Sequence, residues 1–274
     1  MAGPKYGQID HDYGLRLATT QPDEDGPIWM VNLMKYHDVA QYEENSSQKI
    51  SGREADNLYT PLEPLAAIGA EIVYVGNVET KLLGDKRDWD RIAVVKYPTR
   101  RSFIDMQQRN DFKEKHVHKE AGMKETIVMG CLPVDLPIVE ISETDWEDVP
   151  YPPSEDDGPI AVLHVLKFES GTRMDETPQD MEKYQEKAAE VGLKNGLRIS
   201  GWFGVEGTIV GDGRKWDQVR FNTFPSKAAF MEVVNDPNRL EAQKTHRERA
   251  IADTYTLIVR TSLDNLAAST SPSG

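Results

Sequence analysis

The chain is almost free of cysteine: Cys131 is the only one among 274 residues, so no intrachain disulfide can form. It has no apolar run near the roughly 20 residues that a membrane-spanning helix needs. Its first residues also lack the apolar segment of a signal peptide. Together these absences predict a soluble, cytoplasmic protein.

Motifs typical of common cofactor sites are missing as well. The sequence contains no GxGxxG, P-loop, nucleophile-elbow, HExxH or CxxC motif. His116 and His118 are two residues apart, not at the three- or four-residue spacing that places ligands on one helix face. We therefore predict neither a metal site nor a bound cofactor.

Basic residues are few relative to acidic ones. Lys and Arg total 32 against 46 Asp and Glu, which gives a net charge of −14. This excess of negative charge repels phosphate backbones and anionic lipid surfaces within the Debye length. We expect a small-molecule ligand, and no nucleic-acid or membrane partner.

The sequence contains an internal repeat. Residues 67–103 match residues 194–230 at 11 of 37 positions with a constant offset of 127, and His118-Lys119-Glu120 corresponds to His246-Arg247-Glu248. In each copy the apolar patterns predict the order strand, helix, strand, strand, helix, strand. That order is the ferredoxin-like α+β arrangement, in which both helices cover one face of an antiparallel sheet.

The repeat predicts two tandem domains. Because helices cover one face of each sheet, we expect the two free faces to pack together as a single barrel-like pseudo-dimer. Further assembly into a homodimer would use helices or edge strands. The predicted segments are an N-terminal segment at 1–23, a first repeat at 24–131, an acidic, proline-containing surface linker at 132–155, a second repeat at 156–265 and a flexible tail at 266–274.

Several short segments of the first copy resemble a known family. They are Met30-Val31-Asn32-Leu33, Ser51-Gly52-Arg53-Glu54-Ala55, Val73-Tyr74-Val75-Gly76, Trp89-Asp90, Tyr97-Pro98-Thr99-Arg100-Arg101 and the segment around His118. Together they look like an uncharacterised bacterial family, a domain of unknown function, in the dimeric α/β-barrel superfamily. The second copy resembles it more loosely, since it lacks Ser-Gly-Arg-Glu and has His164 where Asn32 stands.

The resemblance implies an intramolecular dimeric α/β-barrel with a ligand cavity, either between sheet and helices or between the sheets. It does not imply one reaction. Relatives by fold include antibiotic-biosynthesis monooxygenases, muconolactone isomerases, haem-degrading monooxygenases and chlorite dismutases.

The second copy has polar residues on a strand face where the first copy is mostly apolar. Strand alternation puts Gln218, Arg220 and Asn222 on one face, and Val219 and Phe221 on the other, which we expect to pack on helices. If the polar face looks into the barrel, Arg220 and Asn222 converge with His164. The alternative is a solvated face, or an Arg220 that pairs with a carboxylate.

His164 and Asn32 occupy the same position in the two copies, each among apolar neighbours. Such a side chain needs a hydrogen-bond partner or a ligand. We predict that His164 is a general acid or base that titrates near neutrality, and that Arg220 stabilises anionic charge. The alternatives are that His164 is a core histidine with a protein partner, and that the Asn32 amide bonds the backbone.

The candidate ligand-binding residues are Asn32, Arg53, Tyr74, Trp202, Asn222 and His118. The alternatives are that Tyr74 and Trp202 are core aromatics and that His118 caps a helix.

Three functions fit these residues. The first is a cofactor-independent isomerase, lyase or monooxygenase that acts on a partly apolar organic substrate in the cavity, with His164 and Arg220 as catalytic residues. The second is a haem-binding or haem-degrading protein that uses Asn32, Trp89 and His118. The third is a non-catalytic ligand-binding or scaffold protein.

Overall fold

The computed structural model describes residues 4–43, 49–135, 145–171 and 173–271. The chain divides into two compact units. Unit 1 comprises Met1–Val75, Asp88–Leu132 and Glu206–Lys215, and unit 2 comprises Gly76–Arg87, Pro133–Val205 and Trp216–Gly274. The predicted repeats did not anticipate that residues 76–87 belong with unit 2 and residues 206–215 with unit 1.

Apart from β1 and α1 at the start and α10 at the end, both halves of the sequence have the order strand, helical segment, strand, strand, helical segment, strand. The first half contains β1 (Gln8–Ile9), α1 (His11–Thr19), β2 (Ile28–Tyr36), α2 (Gly52–Tyr59), α3 (Leu62–Ala67), β3 (Glu71–Leu83), β4 (Arg91–Tyr97), α4 (Arg100–Gln108), α5 (Asn110–Gly122) and β5 (Met123–Pro133). The second contains β6 (Ile160–Phe168), α6 (Gln179–Lys194), β7 (Arg198–Gly211), β8 (Gln218–Phe224), α7 (Lys227–Asn235), α8 (Pro237–Ala242), a π-helical turn (Gln243–Arg247), α9 (Glu248–Ala250), β9 (Ile251–Asp264) and α10 (Leu266–Thr270).

Unit 1 has an antiparallel sheet in which β2 lies between β4 and β5. Asn32 on β2 is opposite Ala93 on one side and Val128 on the other. The sheet face that carries Ile28 and Met30 packs against helices α3, α4 and α5 in a continuous apolar core. Burial of these apolar side chains is the main stabilising contribution.

Unit 2 has the corresponding sheet, with β6 between β8 and β9 and with the first part of β7 beside β8. His164 is opposite Arg220 on one side and Thr256 on the other. The face of Ile160 and Val162 packs on α7. Leu166, on the same face, packs on α6 and α8.

The predicted orientation of β8 was wrong. We expected Val219 and Phe221 to face the helices, but they lie on the opposite face and are fully buried. Arg220 is on the helix-covered face, where it bonds Gln185 of α6. Strand alternation separates the two faces of a strand but does not show which face the helices cover. On the helix-covered face of β8, Gln185 of α6 accepts a hydrogen bond from Arg220.

Both units share the same local structural features. Each central strand has a bulge after its lysine, at Lys35 and Lys167. An aspartate accepts the backbone N–H just after the bulge: Asp90 for Tyr36 at 2.8 Å, and Asp217 for Phe168 at 2.7 Å.

The helices α4 and α7 also begin alike, each at a hydroxyl N-cap. The backbone N–H of the first helical residue donates a hydrogen bond to an aspartate, Asp25 in α4 and Asp157 in α7. These matches link the internal sequence repeat to equivalent local structure.

The linker and the tail are more ordered than predicted. Val149 in the predicted surface linker is buried, and Trp146 donates its indole N–H to the Gly196 carbonyl at 2.7 Å; residues 136–144 of the linker lie outside the described residues. Leu266, the first residue of the predicted flexible tail, is fully buried at the start of α10. Trp146 and Val149 therefore hold the linker against the folded protein, and Leu266 holds the start of the tail, although both segments are mostly polar. Among the described residues no helix has the length and apolar character to cross a membrane.

Candidate functional site

Unit 2 contains an open cavity of about 1570 Å³ between its sheet and its helices. The sheet contributes residues of β6, β7, β8 and β9, and the cover is made by α6, α7, α8 and the π-helical turn. This is one of the two positions that the family resemblance implied. A cavity of this size accommodates a ligand larger than a simple inorganic ion.

The sheet side of the cavity changes from polar to apolar along the strands. His164, Arg220 and Thr256 form one row across β6, β8 and β9. Two residues further along, about 7 Å at the rise of a strand, Asn222 lines the cavity, whereas its neighbours in that row, Val162 and Ile258, are fully buried in the core with α7. Phe224 of the next row packs with Phe230 and Val233 of α7. The cavity thus has a polar region and an adjoining apolar region.

Arg220 lies deep in the polar region, with 4% of its surface exposed. Its guanidinium is 3.8 Å from the ring centroid of Trp202, a cation–π contact. It donates hydrogen bonds to the amide oxygens of Gln218 and Gln185 and a longer one, of 3.4 Å, to Thr177. All these partners are neutral, so they satisfy donors without balancing the charge.

Arg247 is nearly as buried, at 6% exposure, and makes fewer bonds. One hydrogen bond, to Thr254 Oγ1, has a distance of 3.5 Å. The guanidinium lies over the ring of Tyr184, whose hydroxyl accepts a bond from Arg239 Nε at 3.1 Å. Arg247 is the last residue of the π-helical turn, a form of helix that is frequent at functional sites.

These three arginines lack an acidic partner. Among the described residues, no carboxylate lies within 4.0 Å of Arg220, Arg239 or Arg247. The acidic residues on the cavity lining are exposed at its rim. Burial and the neighbouring Arg247 hold the pKa of Arg220 well below its usual range, and burial likewise lowers the pKa of Arg247. The cavity therefore carries concentrated, unbalanced positive charge.

Burial and the positive charge of these arginines also act on His164. Burial, followed by the charges of Arg247, Arg220 and Arg239, lowers its pKa from 6.5 to about 3. The imidazole is consequently neutral near pH 7, and our prediction that it titrates near neutrality is wrong for the ligand-free protein. Its Nδ1 lies 3.2 Å from Thr256 Oγ1.

Unit 1 balances its buried cations with a carboxylate. Asp56 on α2 is 5% exposed; it accepts a hydrogen bond from the Tyr36 hydroxyl at 2.6 Å and one from Arg91 at 3.3 Å. Lys119 on α5 lies over the ring of Tyr59, with its ammonium 5.1 Å from the centroid. A buried anion and its cations thus occupy the interior of unit 1.

The repeat shows what has changed between the units. Lys119 corresponds to Arg247 at the offset of 128 that also relates His118 to His246, and at an offset of 125 Tyr59 corresponds to Tyr184. The cation–aromatic contact is present in both units, which supports this alignment. By the same offset of 125, Met181 stands in the position of Asp56. Unit 2 therefore has a methionine at the position of the internal carboxylate of unit 1, and Met181 lines the cavity.

The structure divides the predicted site residues between the units. His164, Arg220, Trp202 and Asn222 all line the unit 2 cavity. The other predicted residues belong to unit 1: Asn32, Arg53, Tyr74 and His118.

Three of the unit 1 residues have a structural environment. Asn32 donates its side-chain amide to the carbonyl of Met30 at 2.9 Å, as in the backbone-bonding alternative. Tyr74 is fully buried. His118 Nδ1 lies 2.7 Å from the hydroxyl of Tyr42.

Sequence reasoning missed several residues of the cavity. Arg239, Arg247, Tyr184 and Gln185 were not predicted, and neither was Trp146 of the linker. One usable signal was present, because Arg247 lies in the repeated His-Arg-Glu segment. Within the described ranges, no cluster of three or more His, Cys, Asp or Glu side chains is suited to a metal ion.

No protein-family model matches the chain, and no curated protein matches it. Among solved structures, a mutant chlorite dismutase from Candidatus Nitrospira defluvii is 12% identical over 90% of this chain and 96% of that one, with a TM-score of 0.47. An anthrone oxidase-like protein is 14% identical over 89% and 97% of the two chains, with a TM-score of 0.45. A protein of unknown function from Rhodopseudomonas palustris is 21% identical over 48% of this chain and 98% of that one, with a TM-score of 0.42.

Proposed function

We propose that unit 2 binds a small, negatively charged organic molecule with an apolar part, and that the chain is an enzyme acting on it. The observation that carries this proposal is the group of three arginines that faces the cavity without a carboxylate. Removing a charge from water costs several kcal/mol unless a partner of opposite charge compensates it. An anionic ligand supplies that partner.

The comparison with unit 1 supports the same interpretation. There, Asp56 provides the negative charge inside the protein. In unit 2 the equivalent position holds Met181, and space has opened beside it. A ligand carboxylate would take over the electrostatic role of the lost side chain.

His164 gives the site a candidate acid or base. In the free protein it is a weak base, because burial disfavours the charged imidazole and the neighbouring arginines oppose a further positive charge. A bound anion would offset that opposition and raise the pKa of His164 towards its ordinary value. His164 would then exchange a proton with the substrate, while Arg220 stabilises the negative charge that develops. Isomerisation, elimination or oxygenation without a cofactor each fit this arrangement.

The first experiment tests charge recognition with matched acid and amide pairs. We expect decanoate and benzoate to bind, measured by calorimetry, and decanamide and benzamide to bind at least about tenfold more weakly, about 1.4 kcal/mol. Arg247→Met should weaken the preference for the acids, since Arg220 remains. Lys244→Met is the matched control, since Lys244 is an exposed cation in the same π-helical turn. Equal binding of acids and amides by the wild type would overturn the proposal.

A non-catalytic ligand-binding protein is the second candidate, since the arginines alone account for binding. The two are separated by His164→Gln. If the chain is an enzyme, this variant keeps its affinity for a substrate but loses turnover by roughly 10²–10⁴. Unchanged turnover would remove His164 from the mechanism.

Haem binding is the remaining alternative, and the side chains that suggested it do not fit a haem well. Asn32 bonds backbone carbonyl oxygens and His118 bonds Tyr42, so each has a protein partner. Absorbance in the Soret region after addition of haem, compared between wild type and His118→Ala, tests this alternative.

We also propose that the chain arose by tandem duplication of one ferredoxin-like domain, forms an intramolecular dimeric α/β-barrel and assembles as a homodimer. The shared bulges, aspartate contacts and helix caps of the two units support the duplication. Light scattering of the purified protein tests the oligomeric state, and a single species of 30.9 kDa would exclude the dimer.

A further inference from the structure

We infer that the ligand of the unit 2 cavity carries two negative charges on an apolar body, one charge for Arg220 and one for Arg247. This inference rests on the proposed function, and it adds the charge and the general shape of the ligand. It depends on the number of buried cations, on their separate surroundings and on the apolar wall beside them.

The number of charges follows from burial. Arg220 and Arg247 are each more than nine-tenths buried, whereas Arg239 is only partly buried and keeps contact with water. His164 is neutral and adds no charge near pH 7. A ligand with one negative charge would leave one deeply buried guanidinium uncompensated. A dianion balances both, and water solvates the third cation.

The two buried arginines belong to different subsites. Arg220 projects from β8 and stacks on Trp202, while Arg247 comes from the π-helical turn and stacks on Tyr184. The Arg220 guanidinium is 3.8 Å from the ring centroid of Trp202, and that of Arg247 is 5.8 Å from the ring centroid of Tyr184, so each has its own aromatic neighbour. Two subsites on separate elements suit two separated acidic groups better than one compact anion.

The hydrogen-bond donors are distributed unequally between the subsites. A guanidinium group has five N–H donors. Among the described residues, Arg247 makes one hydrogen bond, from Nη2 to Thr254 Oγ1 at 3.5 Å. It is suited to a two-pronged bond with a carboxylate. Arg220 already donates to Gln218 and Gln185, so it contributes mainly charge. Asn222, on the same strand face two residues away, can donate its amide to the second acidic group.

The body of the ligand is constrained by the apolar wall. Phe224 of β8 and Phe230 of α7 line the cavity beside the polar row, and the partly buried Leu197 and Val234 lie next to them. Inorganic phosphate would balance the arginines but leave this wall in contact with water. We therefore assign the site to organic diacids, with an aromatic ring or an aliphatic chain between the acidic groups.

The test compares each diacid with its own monomethyl ester, which keeps the size and removes one charge. Isophthalate, terephthalate and sebacate vary the separation of the carboxylates. We expect the best of them to bind at least about tenfold tighter than its ester by calorimetry at constant ionic strength. In Arg247→Met the diacid and ester should bind equally, and Lys244→Met should retain the wild-type ratio.

The outcomes separate this inference from the proposed function. If every diacid and its ester bind equally well, the two-charge inference is overturned while anion binding stands. If neither the diacids nor the simple carboxylates bind, the proposed function fails and the inference with it. Phosphate that binds as tightly as the best diacid would overturn the apolar body. Arg247→Lys, which keeps the charge and loses the planar fork, should fold normally and give an intermediate ratio.

Discussion

In unit 1, Asp56 lies among Tyr36, Arg91 and Lys119, and an apolar core packs the sheet against the helices. In unit 2, the carboxylate is replaced by Met181 and the tyrosine by Phe168 at the matching bulge. Arg247 keeps the position of Lys119, Gln218 stands at the position of Arg91, Arg220 stands at that of Ala93, and unit 2 contains the cavity. One repeat keeps its charge balance within the fold, and in the proposed function a ligand supplies that balance in the other.

The largest effect should come from removing the internal anion of unit 1. We expect Asp56→Asn to lower the free energy of unfolding by about 3 kcal/mol, because Arg91 would lose its buried carboxylate. Urea denaturation monitored by circular dichroism measures the change. Asp105→Asn, at an exposed ion pair in the same unit, should stay within about 0.5 kcal/mol. Equal effects of the two substitutions would show that Asp56 does not hold the interior of unit 1 together.

The reverse exchange should convert unit 2 towards the state of unit 1. We expect Met181→Asp to supply an internal counter-ion to the arginines and to weaken anion binding by at least about tenfold, about 1.4 kcal/mol. The free energy of unfolding should not fall, since the new charge compensates existing ones. Met181→Leu controls for the change in shape and should bind as the wild type does. Undiminished binding by Met181→Asp would break the parallel between the two repeats.

The sequence allowed the strands, helices and turns to be predicted, because apolar periodicity and the Gly-Asp turns are local signals. Two features were beyond it. The strands β3 and β7 span 13 and 14 residues, and each runs from one unit into the other. Periodicity shows that a strand is long without showing where its second half packs. Alternation likewise could not tell which face of β8 the helices cover.

The site was predictable only in part, for related reasons. His164 and Arg220 were identified because they interrupt apolar strands, where a polar residue is conspicuous. Arg247 lies in a helical segment rich in charge, where an arginine is normally exposed. Its burial depends on the π-helical turn, which has no strong local sequence signal.

The dependence of stability on pH should isolate His164. Its pKa is about 3 in the folded protein and near 6.5 when unfolded. Between these values the unfolded chain binds a proton that the folded chain does not, so stability is fully present above about pH 6.5 and falls as the pH decreases. The loss is at most about 1.4 kcal/mol per pH unit. His164→Gln should make the urea midpoint less sensitive to pH than the wild type over this range, and an unchanged slope would contradict the shifted pKa.

The smallest effect should come from the residue of unit 1 that corresponds to His164. Asn32 donates its amide to the carbonyls of Met30 and Ala93 at 2.9 and 3.4 Å. Asn32→Ala should therefore cost about 1 kcal/mol of stability, the net contribution of a hydrogen bond of this kind. Diacid binding should be unchanged, because the proposed ligand contacts lie in unit 2. Calorimetry with isophthalate and urea denaturation of the same preparation measure both quantities. A variant that folds with wild-type stability but no longer binds the diacid would move the ligand site to unit 1, and the charge comparison between the repeats would then no longer explain where the ligand goes.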